Sequence, residues 1–416
     1  MDKSNEKRRE GAISKKSRAD MSEDESETDE EECIMVRAAT SFFRERERNR
    51  YLSVIATYIK TFESWQLMDD NCKMSVIKHL DYKTRCRLER CSRADSKLVK
   101  NVPLNVYGIE FMEQSKETGH ESTRISITIE FEKDANEKFE LFFEQSSNDT
   151  VIKWIRTSEY FIPTKFSLTI EKSNYQEEAV KFVEKWMKKC KYGISKITVG
   201  MDNFPIETSN ISFLPNLKIV KMCIENENKI KKWFEKFPEE LEDVQLTNRT
   251  WKETSIVVSP DVIDSPQIMN AKKLFFFNKI DLSGELLFQL KATRFSFHSD
   301  RLTEKDINQF IRNWTNGKCV EEFKEAVFWS KEERDLEQIT SGIELIQWDQ
   351  TFKREYPEFW ESFTKYWTLG VCYQVKSRIN PFHSISLNFT GRTVSIYVTG
   401  KAKQVNGVKY TRYRIP

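Results

Sequence analysis

The sequence predicts an α/β protein in two parts: a small three-helix unit around residue 80, then an irregular α/β solenoid running to residue 416. Three observations carry this reading. Between Trp65 and Leu104, apolar residues recur at helical spacing in short runs broken at Asp81, Ser92 and Pro103. Beyond residue 165, short strand-like apolar runs recur, their starts roughly 20 to 30 residues apart. Segments of helical period lie between those runs. The 416 residues suffice for two or three domains at roughly 150 residues each.

Residues 1–36 read as a disordered, charged tail. Positions 1–20 hold seven Lys or Arg against four acids, and Ser22 to Glu32 hold eight acids in eleven positions. Like charges in blocks repel and bury nothing. Lys7-Arg8-Arg9 and Lys15-Lys16-Ser17-Arg18 suit a nuclear import signal, or equally a solvated polyampholyte. Ser22, Ser26 and Thr28 sit among the acids, where phosphorylation would deepen the charge. Residues 37–64 follow as a helix leading into the next domain, with Phe43, Tyr51, Val54, Ile55 and Ile59 on its apolar side.

In the 65–105 segment, Met68, Cys72, Val76, Ile77 and Leu80 trace one apolar stripe. Asp81 precedes a second short helix, in which Arg85, Leu88 and Cys91 share a side. A third runs from Ser92 through Val99, and Pro103 ends it. A unit this small is weakly stable alone and gains from docking on a partner or a following domain. Periodicity alone leaves a generic helical subdomain open. Cys86 and Cys91, with only His79 nearby, lack the second ligand pair of a zinc site.

The string Asp81-Tyr82-Lys83-Thr84-Arg85, followed by Leu88-Glu89-Arg90-Cys91-Ser92 and preceded by Trp65, Met68, Val76, Ile77 and Leu80, resembles an F-box. Its wording is similar to that of the nematode F-box proteins. Asp69 stands where that family has Pro, and Asn71 where it has an acid. The resemblance implies that Met68, Asp69, Cys72, Val76, Ile77, Leu80, Tyr82, Arg85, Leu88 and Cys91 dock on the Skp adaptor, and through it on a cullin–RING ubiquitin ligase.

Residues 106–416 form the second part. Arg124–Glu132 and Lys138–Glu144 alternate apolar and polar positions, as a hairpin or two sheet strands do. The repeating runs are 165–170, 194–200, 217–224, 241–246, 272–278, 293–299 and 325–330. Helical faces fall between them, at Ala179, Val180, Phe182, Val183, Trp186, Met187 and Cys190, and again at Ile230, Trp233, Phe234 and Phe237. The clearest helix follows Thr303, an N-cap with Asp306 three residues on; Ile307, Phe310, Ile311 and Trp314 are its stripe and Gly317 its stop. Strand and helix at this period indicate a solenoid of leucine-rich-repeat type, degenerate because its formal consensus is mostly absent; a compact α/β sandwich is the alternative. Residues 383–400 read as a closing hairpin with Thr390-Gly391 in its turn. The Leu302-Thr303…Asp306-Ile307-Asn308…Phe310-Ile311…Trp314…Gly317 string resembles the F-box-associated region of the same nematode proteins, over about 165–370.

Composition narrows the function. With 67 Lys or Arg against 65 acids, the net charge of +2 argues against a nucleic-acid binder working through residues 1–20 and Lys185–Lys196. Four scattered His, no C-x-x-C and no phosphate-loop, G-x-S-x-G or H-E-x-x-H string give no basis for a catalytic site, a metal or any cofactor. The charged start and the absence of a long apolar run point away from secretion and the membrane, toward cytoplasm or nucleus and reduced cysteines. The two resemblances imply a non-catalytic substrate-recognition subunit of a ubiquitin ligase, 65–105 holding the adaptor and 106–416 holding an unidentified protein target. The alternative is an interaction scaffold that works without a ligase. No residue is assigned to the target surface.

Overall fold

The computed structural model describes residues 65–114, 123–131, 138–158, 161–247, 257–357, 360, 370–380, 383–399, 403–405 and 408–410. The expected tail 1–36 and lead-in helix 37–64 lie outside the described residues. The chain divides into two compact units, residues 1–102 with 151–172, and residues 103–150 with 173–416.

The first unit opens on a 3₁₀ turn at Trp65–Leu67, followed by α1 (Asp70–Lys78), α2 (Tyr82–Leu88) and α3 (Arg93–Asn101). Each α-helix begins where a short polar side chain offers an oxygen to an otherwise orphaned N–H. Asp69 accepts from Cys72 N at 2.9 Å, Asp81 from Thr84 N at 2.6 Å and Ser92 from Asp95 N at 3.0 Å. Ile77, Leu98 and Val102 are buried together, with Trp65, Met74, Leu80, Leu88 and Val99 packed around them.

Of β4 (Asp149–Ser158) and β5 (Phe161–Ile170), residues 151–158 and all of β5 fall in this first unit. The run expected at 165–170 is part of β5.

The second unit is a mixed α/β structure around a large sheet. Its strands are β1 (Gly108–Gln114), β2 (Arg124–Glu130), β3 (Lys138–Ser146), β6 (Lys196–Gly200), β7 (Ile219–Met222), β8 (Asp243–Leu246), β9 (Val257–Val258), β10 (Lys273–Ile280), β11 (Arg294–His298), β12 (Glu325–Trp329), β13 (Ile346–Gln347), β14 (Val371–Lys376), β15 (Ser384–Phe389) and β16 (Thr393–Val398). Parallel pairing links β1, β6, β7, β8, β10, β11 and β12 in that order. Antiparallel strands continue the sheet at both ends, β2 and β3 beyond β1, and β16, β15, β14 and β13 beyond β12.

The helices of this unit are α4 (Tyr175–Lys189), α5 (Glu227–Phe234), α6 (Pro260–Ile263), α7 (Pro266–Met269), α8 (Gly284–Gln289), α9 (Glu304–Thr315), α10 (Leu336–Thr340) and α11 (Gln350–Glu355). Alternate strand residues point into a dry interior, as Leu274, Phe276, Phe295, Phe297, Ala326 and Phe328 do. Phe111, Phe204 and Trp233 meet at ring separations of 5.0 to 5.8 Å, and Phe295, Phe310, Phe323 and Phe328 form a second aromatic knot.

Helix α9 follows the sequence closely. Thr303 and Asp306 close the capping box in both directions. At the other end Gly317 N bonds Trp314 O and Lys318 N bonds Asn313 O, the Schellman arrangement, with Gly317 at φ +69°. The hairpin at the end of the sheet turns at Gly391, φ +71°, and its strand β16 lies against β12.

Candidate functional site

Two surfaces stand out, one in each unit. In the first unit the ten residues singled out from the sequence do not share one surface. Ile77 is fully buried and Arg85 is 3% exposed, while Leu80 and Leu88 pack on the small core. Cys72 and Ile77 differ by five residues, which sets them about 140° apart around a helix of 3.6 residues per turn. Met68 and Leu80 flank α1 instead of lying within it. Asp69, Cys72 and Cys91 are exposed, and Met68, Val76 and Tyr82 are half-buried.

Arg85 has an architectural role. Its guanidinium donates to Lys78 O at 3.1 Å, Leu80 O at 3.2 Å and Val102 O at 3.3 Å, tying the end of α1 to the end of α3. Burial pushes its pKa down. Asp69 caps α1, and the backbone N–H of Cys72 holds its carboxyl below the usual range. The same hydrogen-bonded carboxylate pushes the Cys72 thiol up.

Leu67 was missing from the sequence-derived set. At 87% exposure it is the most exposed large apolar side chain among the described residues. A single Leu ahead of a helix has no periodic partner, so spacing could not single it out. It lies next to Met68 and one short turn from the exposed start of α1.

The second surface is the outward face of β10, β11 and β12. Phe275, Ser296 and Val327 are in register across these strands, as are Lys279, His298 and Trp329, with Val257 of β9 beside Lys279. Val257, Phe277 and Trp329 are each about half exposed, at 51%, 55% and 50%. Trp329 Nε1 donates to Ser296 Oγ at 3.2 Å. Lys279 Nζ bonds Asp300 at 2.9 Å, and burial pushes the His298 imidazole down despite the facing Asp300 carboxylate at 3.8 Å. Towards β1, the face becomes charged: Lys196 pairs with Glu130 at 2.8 Å, and burial raises Glu110 beside them.

Among the described residues no cluster of three or more His, Cys, Asp or Glu is placed to hold a metal ion. No helix among them is long and apolar enough to cross a membrane. What the two surfaces have in common is exposed apolar side chains, Leu67 on one and Phe277 and Trp329 on the other.

A family described as F-box associated matches residues 264–321, a span that holds α7, β10, α8, β11 and α9. An uncharacterised F-box protein of Caenorhabditis elegans is 34% identical over 369 residues, covering 88% of this chain and 96% of the relative. No solved structure matches.

Proposed function

The chain belongs to the F-box protein family, and from that premise we propose that it is a non-catalytic substrate-recognition subunit of a Skp–cullin–F-box ubiquitin ligase. Residues 65–105 are the F-box and bind the Skp adaptor. Residues 106–416 are a leucine-rich-repeat-like array that binds the target protein. Rate enhancement then comes from proximity, since tethering raises the effective concentration of target at the ligase. The work takes place in cytoplasm or nucleus.

The observation that carries the adaptor half is the apolar lip of exposed Leu67 and Cys72 with half-buried Met68 and Val76, on a unit with a core of its own. The adaptor surface is accordingly Leu67, Met68, Asp69, Cys72, Val76 and Tyr82, with Cys91 at its margin. Ile77, Arg85, Leu80 and Leu88 support it from inside. Asp69, in place of the family's Pro, supplies a helix cap and leaves the start of α1 intact, which favours a working F-box over a decayed one.

For the array, the parallel run from β6 to β12 advances by about 20 to 30 residues per strand, as in a solenoid. Its half-exposed Phe277 and Trp329 suit protein contact, where aromatic side chains dominate hot spots.

Calorimetry of the full chain with the Skp adaptor tests the reading. A micromolar or tighter Kd is expected, lost in the Leu67→Asp/Val76→Asp variant while its circular dichroism stays native. A folded chain that ignores the adaptor would retire the ligase role and favour a free-standing scaffold.

A further inference from the structure

The lip is held by a contact from the far end of its unit. Trp65 opens the 3₁₀ turn that carries Leu67, and its indole Nε1 donates to Asp95 Oδ1 at 2.9 Å across thirty residues of sequence. Asp95 is fixed in turn. Its other oxygen accepts from Ser92 Oγ at 2.7 Å, and its backbone N–H returns a bond to that hydroxyl at 3.0 Å, so the carboxylate is locked into the first turn of α3. The Trp65 ring packs on the Ile77–Leu98–Val102 core with Lys73 Nζ 5.9 Å from its centroid, and Met68 N bonds Trp65 O at 3.3 Å.

Leu67 itself contributes little to holding this segment, because it is 87% exposed. Its direction is therefore set by its neighbours: Trp65, bonded to α3, on one side, and Asp69, capping α1, on the other. Without the indole bond, the 65–68 turn would lose one of the contacts that fix it, and a solvent-facing Leu would sample more positions. Ordering it at the moment of binding would then cost conformational entropy that the folded turn has already lost.

We propose that Asp95 is a positioning residue for adaptor docking, acting through Trp65 to present Leu67. This rests on the adaptor reading above, and the test separates the two. In the full chain, adaptor Kd is measured for wild type, Leu67→Ala, Trp65→Phe (which keeps the ring and removes the donor), Asp95→Ala and Asp95→Asn (which keeps an acceptor), and for Leu67→Ala combined with Trp65→Phe and with Asp95→Ala. Hydrogen exchange at residues 66–69 is followed without adaptor. Leu67→Ala is expected to weaken wild-type binding about tenfold, as truncation of an anchor does, but by less than about threefold in the Trp65→Phe and Asp95→Ala backgrounds, the non-additivity of coupled sites. Exchange at 66–69 should rise in both backgrounds, and Asp95→Asn should restore affinity and protection. A purely structural role would lower stability and leave the full Leu67 effect in every background, which overturns the proposal while sparing the adaptor reading. Unchanged exchange at 66–69 in Trp65→Phe overturns it as well. A folded wild-type chain that does not bind the adaptor defeats both.

Discussion

Replacing Arg85 with Met is the sharpest test of how the first unit holds together. The Met side chain fills most of the space of the arginine stem but donates nothing, so the three carbonyls at Lys78, Leu80 and Val102 lose a charged donor at 3.1 to 3.3 Å. A hydrogen bond to a charged group contributes about 1.5 to 3 kcal/mol, less where solvent reaches it. Two of the three bonds are only partly buried, so a gross loss of about 4 kcal/mol is reasonable. Relief of the desolvation cost of the buried guanidinium returns about 1 to 2 kcal/mol, leaving a net loss of about 2 to 3 kcal/mol. Since 1.4 kcal/mol is a factor of ten, amide exchange in α1 and α3 should accelerate about 30- to 150-fold. Region-resolved hydrogen exchange is the suitable assay, because a chain of two units need not unfold in one step. Arg85→Lys, with a charge but no planar fork, should fall between. Exchange within threefold of wild type in Arg85→Met would refute the tie between α1 and α3.

Four further predictions follow from the second unit. Trp233→Ala, at a fully buried ring, should cost about 3 to 5 kcal/mol, whereas Trp329→Ala, at a ring half in solvent, should cost under about 1 kcal/mol in denaturant titrations. Lys191 ends α4 in a left-handed conformation at φ +49°, with Lys191 N bonding Lys188 O and Tyr192 N bonding Met187 O, so Lys191→Gly should stabilise by up to about 1 kcal/mol. Gly317→Ala, at φ +69° with Ile379 against the position its methyl would take, should destabilise by about 1 kcal/mol. Burial pushes the Cys190 thiol up to about 11 and that of Cys319 to about 12. The unfolded chain releases these protons from about pH 9, so their stabilising share is whole below pH 9 and declines above it, by about 1.4 kcal/mol per thiol and pH unit. Cys319→Ala should flatten that alkaline slope, and an unchanged slope between pH 9 and 10.5 would contradict it.

What the sequence made legible was what local chemistry decides. The Thr303–Asp306 box, the Gly317 stop and the Gly391 turn are each settled within a few residues, and all three stand where their spacing put them. The runs at 272–278, 293–299 and 325–330 became neighbouring parallel strands because each alternates inward apolar residues over strand length. Other features depend on contacts far along the chain. β5 has the same alternation as the array strands, yet lies in the first unit. β1 has only two large inward side chains, Ile109 and Phe111, too few to stand out between Gly108 and Gln114. Arg85 reads as one of a helix side shared with Leu88 and Cys91, and its inward role shows only once its three carbonyl partners, up to 17 residues away, are in place. Leu67 stands ahead of the helix without a periodic partner, so its spacing assigns it to neither core nor surface.

The residues that make the C-terminal part recognisable serve its architecture. Asp306 caps α9 through Thr303 N at 2.8 Å, and Ile307, Phe310, Ile311 and Trp314 are buried beneath it. Asn308 Nδ2 bonds Ile339 O at 2.7 Å and Ser341 O at 3.0 Å, fastening α10 to α9, while Arg312 Nη2 reaches the same Ser341 carbonyl at 2.7 Å. Every one of these contacts is internal, so a chain can keep the whole string and still present any outward surface. The outward rows of β10 to β12 follow the opposite rule. Phe277 and Trp329 leave half their surface in water, so their replacement perturbs the core little. The α9 string therefore serves the scaffold, whereas the outward rings of Phe277 and Trp329 contribute little to it.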